Sequence, residues 1–178
     1  AAAQEGEAAV PFAEARRQLF AVPTLRRLWL GAFFFGLGTF QLDVLLSLYF
    51  ENVYGFEAKG RGWVQFLGGA GLVAGLAIGA RLASVASAAG DVRRLPVIIG
   101  GAFAPFAAGM VLLAASPTSV VALAGAFLVF VGVGAYQPAY FTVVGAVAGP
   151  RVRSQSYAWA ILIYGSGGLA YVLFFAAF

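Results

Sequence analysis

The sequence predicts an all-α integral membrane protein, and three observations lead to that fold class. The chain has 178 residues, of which 62% are hydrophobic and 10% charged, whereas soluble domains have about 45–50% apolar and about 25% charged residues. Five apolar stretches are long enough to cross a hydrocarbon core, which takes about 20 helical residues. Arginines cluster at the ends of these stretches. The solvent that suits this chain is therefore lipid.

Residues 1–27 precede the first apolar stretch and are predicted to form a cytoplasmic linker. Within them, the stretch PFAEARRQLFA at 11–21 combines three bulky apolar side chains with two arginines. A helix of this composition suits the inner membrane surface. A frayed linker without a fixed position is the alternative interpretation.

The transmembrane bundle is predicted over residues 28–178, with spans at 28–50, 62–80, 95–115, 118–148 and 154–178. Asp43 is the only charged residue within these spans, and Pro138 predicts a kink in the long fourth one. The loops at 81–94 and 149–153 are basic, while the loop at 51–61 is balanced in charge. Because basic loops stay in the cytoplasm, the N-terminus is predicted to be cytoplasmic and loop 51–61 external.

The second span carries small residues at every fourth position, namely Gly71, Gly75, Gly79 and Ala83. In lipid, such a ridge lets two helix backbones approach closely. We expect a tightly packed helix–helix contact along it. A surface that slides during a conformational change is the functional alternative.

Polar side chains inside the spans are the candidates for a functional site. An intramembrane charge is costly, so Asp43 is a functional candidate by default. Thr39, Asp43 and Ser47 lie four residues apart and are predicted to share one helical face. The full set predicted to line a substrate or proton path is Asp43, Thr39, Ser47, Gln41, Tyr136, Gln137, Tyr140 and Tyr164.

Each of these candidates also has a structural interpretation. In the structural interpretation, Asp43 is an acid that is hydrogen-bonded to a neighbouring helix, or an acid close enough to the outer surface to reach water. Gln137 and Tyr140 are placed to satisfy the carbonyl that Pro138 leaves without its helical partner. In the same interpretation, the Tyr164 hydroxyl donates a hydrogen bond to a nearby carbonyl.

The spans, their direction and the basic loop after the second span together resemble the major facilitator superfamily. That family has twelve helices in two halves joined by a cytoplasmic linker, and this chain is similar to the linker plus helices seven to eleven. Its loop GARLASVASAAGDVRRL resembles the family pattern G-x-L-A-D-R-x-G-R-R/K at Gly79, Leu82, Ala83, Gly90, Arg93 and Arg94. Ser84 stands where the family has an acid, which favours the C-terminal half, where the motif is usually degraded.

The resemblance implies roles for particular segments. The first and fourth spans would face a central cavity, and their polar residues fit that position. The basic loop would act as a cytoplasmic gating loop, with Arg81, Asp91, Arg93 and Arg94 as its charged residues.

The function implied is secondary active transport of a small organic molecule by alternating access. An aromatic cavity without fixed positive charge favours an amphipathic or lipophilic cargo, with efflux preferred and proton coupling an option. A channel subunit or a membrane-embedded scaffold without transport activity is the alternative. The expected partners are the bilayer, the cargo, a separate N-terminal half and a twelfth helix, with no nucleic acid, and the expected location is a bacterial plasma membrane.

No enzyme, metal or cofactor is predicted. The chain has no His and no Cys, so it lacks serine–histidine chemistry, the commonest proton shuttle and thiolate or imidazole metal ligands.

Overall fold

The computed structural model describes residues 11–91 and 93–176, and the regular elements within them are helices. Five stretches are long and apolar enough to cross a membrane, which confirms the predicted all-α, five-span fold class. The helices are α1 (Phe12–Ala21), α2 (Pro23–Thr39), α3 (Leu42–Tyr54), α4 (Ala58–Ala88), α5 (Arg94–Gly101), α6 (Phe103–Ala114), α7 (Ser119–Ala148) and α8 (Arg153–Ala176), with a 3₁₀ turn at Pro150–Val152.

Two of the predicted spans are interrupted. The first, expected as one helix, consists of α2 and α3, with Phe40 and Gln41 in a turn between them. The third is divided at Ala102 into α5 and α6. Pro105 lies just beyond that second interruption, and it has no backbone N–H to donate to the carbonyl four residues before it. Proline explains the interruption in the third span, whereas the first span has none at its turn.

The helices also extend past the apolar stretches that predicted them. The second span was expected at residues 62–80, yet α4 has 31 residues, about 46 Å at 1.5 Å per residue, against a hydrocarbon core of about 30 Å. Arg61 and Arg81 flank the apolar stretch in the sequence, and α4 continues past both of them. The end comes at Gly90, whose φ of +68° is left-handed, with the Asp91 N–H donating to the Ala86 carbonyl at 3.0 Å.

The chain forms two compact units. The first consists of the described parts of Ala1–Leu37 and Val144–Phe178, and the second is Gly38–Val143. In the first unit α2 and α8 touch backbone to backbone, because Gly36 lies against the Tyr164 carbonyl and Gly167 against the Phe33 carbonyl. A side chain at either glycine would prevent this approach.

In the second unit, α4 packs on α7 through the predicted ridge. Gly71, Gly75, Gly79 and Ala83 are all buried, and three of these glycines lie directly against backbone carbonyls of α7. Gly134 of α7 approaches the Leu72 carbonyl in return. The ridge is therefore a packing surface between two helix backbones.

Candidate functional site

The interruption in the first span lies near its middle. The whole span, Pro23–Tyr54, has 32 residues, and α2 accounts for 17 of them. At 1.5 Å per residue, α2 contributes about 25 Å of helix before the turn. Gln41 precedes α3 with φ −98° and ψ 3°, and its carbonyl accepts the first bond of α3 from the Leu45 N–H at 2.9 Å.

Asp43 lies in the first turn of α3, and its side chain is exposed. The N-terminal end of a helix carries a partial positive charge, which favours a carboxylate there. The backbone carbonyl of Asp43 accepts a hydrogen bond from Gln65 Nε2 of α4 at 2.9 Å. A side chain from the second span therefore holds the backbone just after the turn.

The other three candidates of the first span lie around the same turn. Gln41 and Ser47 are half-buried, and Thr39 is buried. The expectation that Thr39, Asp43 and Ser47 share one continuous helical face was wrong, because the helix is interrupted between the first two. Asp43 and Ser47 lie on α3, whereas Thr39 is the last residue of α2.

The tyrosines of α7 form an aromatic stack. The rings of Tyr136 and Tyr140 are 5.2 Å apart and inclined by 18°, and Phe103 meets Tyr136 edge-on at 6.0 Å. Both tyrosines are buried, while Gln137 beside them is half-buried. The result is a buried aromatic stack on α7, with one tyrosine two residues before Pro138 and the other two residues after it.

The Tyr140 hydroxyl is buried, and among the described residues it has no hydrogen-bond partner. It therefore does not satisfy the carbonyl freed by Pro138, which was its expected structural role. The hydroxyl that does bond locally is that of Thr142, which donates to the Pro138 carbonyl at 2.7 Å. α7 remains helical through the proline.

Tyr164 belongs to the other compact unit. It is half-buried on α8, with its ring 6.1 Å from that of Phe35. Its backbone carbonyl faces Gly36, so its position is fixed by the close contact between α2 and α8.

Three of the four predicted gating residues, Asp91, Arg93 and Arg94, line a groove of about 540 Å³ between the end of α4 and α5. Arg94 Nε lies 2.8 Å from Asp91 Oδ2, and Arg93 also lines the groove. Arg81 is exposed and does not line it. The remaining walls are apolar: Leu82, Val85, Ala86, Val97 and Ile98.

Sequence reasoning missed two features of this site, the turn at Phe40–Gln41 and the contribution of Gln65. The available signal was Gly36 and Gly38 just before the turn, since glycine weakens a helix interior. Gln65 is a polar residue in an otherwise apolar stretch, which is itself a signal of a polar contact inside a membrane. In the described ranges, no group of three or more His, Cys, Asp or Glu residues is arranged to hold a metal ion.

Comparison with known proteins gives one result. The sequence profile described as Major Facilitator Superfamily matches residues 1–171, almost the whole chain. Searches of curated proteins and of solved structures gave no significant match. With five apolar spans and a family match of this extent, the chain belongs to the major facilitator superfamily of multi-pass membrane transporters.

Proposed function

We propose that this chain is the C-terminal half of a secondary active transporter, comprising the linker and helices seven to eleven. Its cargo is a small amphipathic or lipophilic organic molecule, moved by alternating access and preferentially outward across a bacterial plasma membrane. The observation that carries this proposal is the mid-span interruption followed at once by Asp43.

Interrupted helices near the bilayer midplane are where alternating-access carriers form substrate and ion sites, because the turn leaves backbone and side-chain polar groups available. Asp43 is the second residue of α3, directly after the interruption, and its side chain is exposed. An acid at this depth is expensive unless it reaches water, a cation or a partner. We propose that a water-accessible cavity at the turn meets that requirement.

The side chains of the first and fourth spans support the proposed cargo class. Asp43 is the only charged residue between Leu28 and Phe50, and α7 contains none. An anionic cargo such as a dicarboxylate would call for an arginine clamp. A single carboxylate on α3 and an aromatic stack on α7, with no fixed cation in either helix, suit an apolar or cationic organic molecule better, since cations are attracted to aromatic faces.

Transport by alternating access also requires a second half that rocks against the first. The partners we propose are therefore the bilayer, the cargo, an N-terminal half and a twelfth helix. The arginines lie at the ends of the spans, which fits membrane orientation and gives no reason to propose a nucleic-acid partner.

We further propose that Asp43 carries the coupling proton. The test is Asp43→Asn in the intact protein, with transport of the fluorescent cation ethidium measured in vesicles under an imposed pH gradient. The variant keeps the shape and hydrogen bonding of the side chain and removes its charge, so pH-driven transport is expected to stop, while Asp43→Glu retains part of it.

Glu57→Gln is the matched control. Glu57 is an exposed acid that precedes α4 and makes no side-chain cap hydrogen bond, so its loss is expected to leave transport unchanged. If Asp43→Asn transports with normal pH dependence, Asp43 is a structural acid and the coupling proposal is wrong.

A further inference from the structure

The linker helix α1 is held on the bundle by an aromatic cluster. Phe20 lies 5.0 Å from Trp29 of α2 and 5.2 Å from Trp159 of α8, measured between ring centroids. Phe12 stacks on Trp159 at 6.0 Å. Ala15 and Leu19 are buried. α1 is therefore a helix packed on α2 and α8 through these contacts.

A groove of about 480 Å³ opens beside this cluster, within the range of about 300–1,000 Å³ that small-ligand sites occupy. Its lining residues are Phe20, Arg26, Trp29, Leu30, Phe33 and Ile163. Arg26, Trp29 and Phe33 follow each other at helical spacing along one face of α2. The groove is thus apolar over about 10 Å of helix, with a guanidinium at one end.

The charge around the groove is positive and unbalanced. Among the described residues, Arg26 makes no side-chain hydrogen bond or ion pair. Glu14 is the only acid in the described part of this unit, and it accepts a bond from Gln18 at 3.1 Å. The groove end therefore has a cation without a counter-charge, in a segment that also contains Arg16, Arg17 and Arg27.

A second polar group in the groove wall lacks a partner. Trp29 is 2% exposed, and its indole Nε1 is buried with no acceptor among the described residues. A buried donor left unpaired is unfavourable. The groove thus combines an apolar body with the Arg26 guanidinium, and one of its wall residues, Trp29, contains a buried and unpaired indole N–H.

We propose that this groove binds one anionic glycerophospholipid of the cytoplasmic leaflet. The phosphate pairs with Arg26, and an acyl chain lies along Phe33 and Ile163. An ester carbonyl accepts a hydrogen bond from the Trp29 indole N–H once the Trp29 ring has rotated toward the groove. The positive-inside rule puts Arg26 at the inner surface, where anionic lipids meet basic pockets between helices. The lipid would hold the linker helix against the bundle through Phe20.

The test is native mass spectrometry of the intact protein after exposure to equal amounts of phosphatidylglycerol and phosphatidylcholine. The wild type is expected to retain phosphatidylglycerol in preference to phosphatidylcholine. Arg26→Gln is expected to lower that preference about fivefold, because one basic residue at an anionic surface contributes about 1 kcal/mol of binding free energy. Arg26→Lys is expected to retain most of the preference. Arg17→Gln removes the same charge from the exposed side of α1 and is expected to change the preference far less.

A second pair of variants tests the groove itself. Ile163→Trp fills it and is expected to displace phosphatidylglycerol, while Leu162→Trp, on an exposed neighbour outside the groove, is expected to retain it. Equal retention of both lipids by the wild type would overturn the proposal. Equal losses of the phosphatidylglycerol preference in Arg26→Gln and Arg17→Gln would also overturn it. So would phosphatidylglycerol binding that Ile163→Trp leaves unchanged, which would mean that the lipid binds elsewhere or that a protein segment fills the groove.

Discussion

The contact between α4 and α7 gives the sharpest prediction, because its cost follows from the geometry. A Cβ atom added at Gly75 would lie against the Val131 carbonyl oxygen and 2.9 Å from the Ala135 backbone nitrogen, where ordinary contact begins at 3.4 Å. The obstructing atoms are backbone, so the helices must separate by at least about half an ångström, and overpacking of this kind costs about 1–3 kcal/mol. Gly75→Ala is therefore expected to lower the free energy of unfolding by that amount.

Gly69→Ala makes the same substitution in the same helix at an exposed position with no atom within 4 Å of the added Cβ. It is expected to cost nothing, and alanine's better helix propensity favours a gain of up to about 1 kcal/mol. The measurement is unfolding of the purified protein in mixed micelles by titration with a denaturing detergent. If Gly69→Ala and Gly75→Ala change stability equally, the ridge reflects composition and this reasoning is refuted.

Three further predictions concern the topology and two tyrosine hydroxyl groups. Single cysteines at Ala58 and Ala88, exposed near opposite ends of α4, are expected to react with a membrane-impermeant reagent from opposite sides, and reaction from one side would refute the five-span topology. Tyr54→Phe removes bonds to the Ser116 hydroxyl and carbonyl at 2.6 and 3.2 Å and is expected to cost about 0.5–1.5 kcal/mol. Tyr140→Phe removes a hydroxyl without a partner among the described residues, so its thermal stability is expected to stay at or above that of the wild type, and a loss would show a missed hydrogen bond.

The number of spans and the packing ridge could be predicted from sequence because each depends on a local pattern. Hydrophobic length decides whether a helix crosses the bilayer, and small residues four apart decide which face packs closely. Gly71, Gly75 and Gly79 are buried as that spacing predicts. The family follows from the whole arrangement more than from any one motif.

The interruption in the first span could not be predicted in the same way. Polar residues at Thr39, Gln41 and Asp43 lower the hydropathy there, but polar residues alone do not break a helix, and no proline lies at Phe40–Gln41. Gln65 contacts the backbone beyond that turn from 22 residues away in sequence, a tertiary relation that no local pattern contains. Likewise, the polar character of Tyr140 did not indicate that its hydroxyl would be buried without a partner.

Secondary active transport is the central claim, and uphill movement of a solute tests it most directly. The intact protein would be reconstituted into liposomes, a pH gradient imposed, and the internal concentration of ethidium and related lipophilic cations followed against protein-free liposomes. We predict accumulation above the external concentration that collapses when a protonophore removes the gradient. Equilibration without accumulation, as a channel would give, or uptake no greater than in protein-free liposomes for every cation tested, would contradict the account.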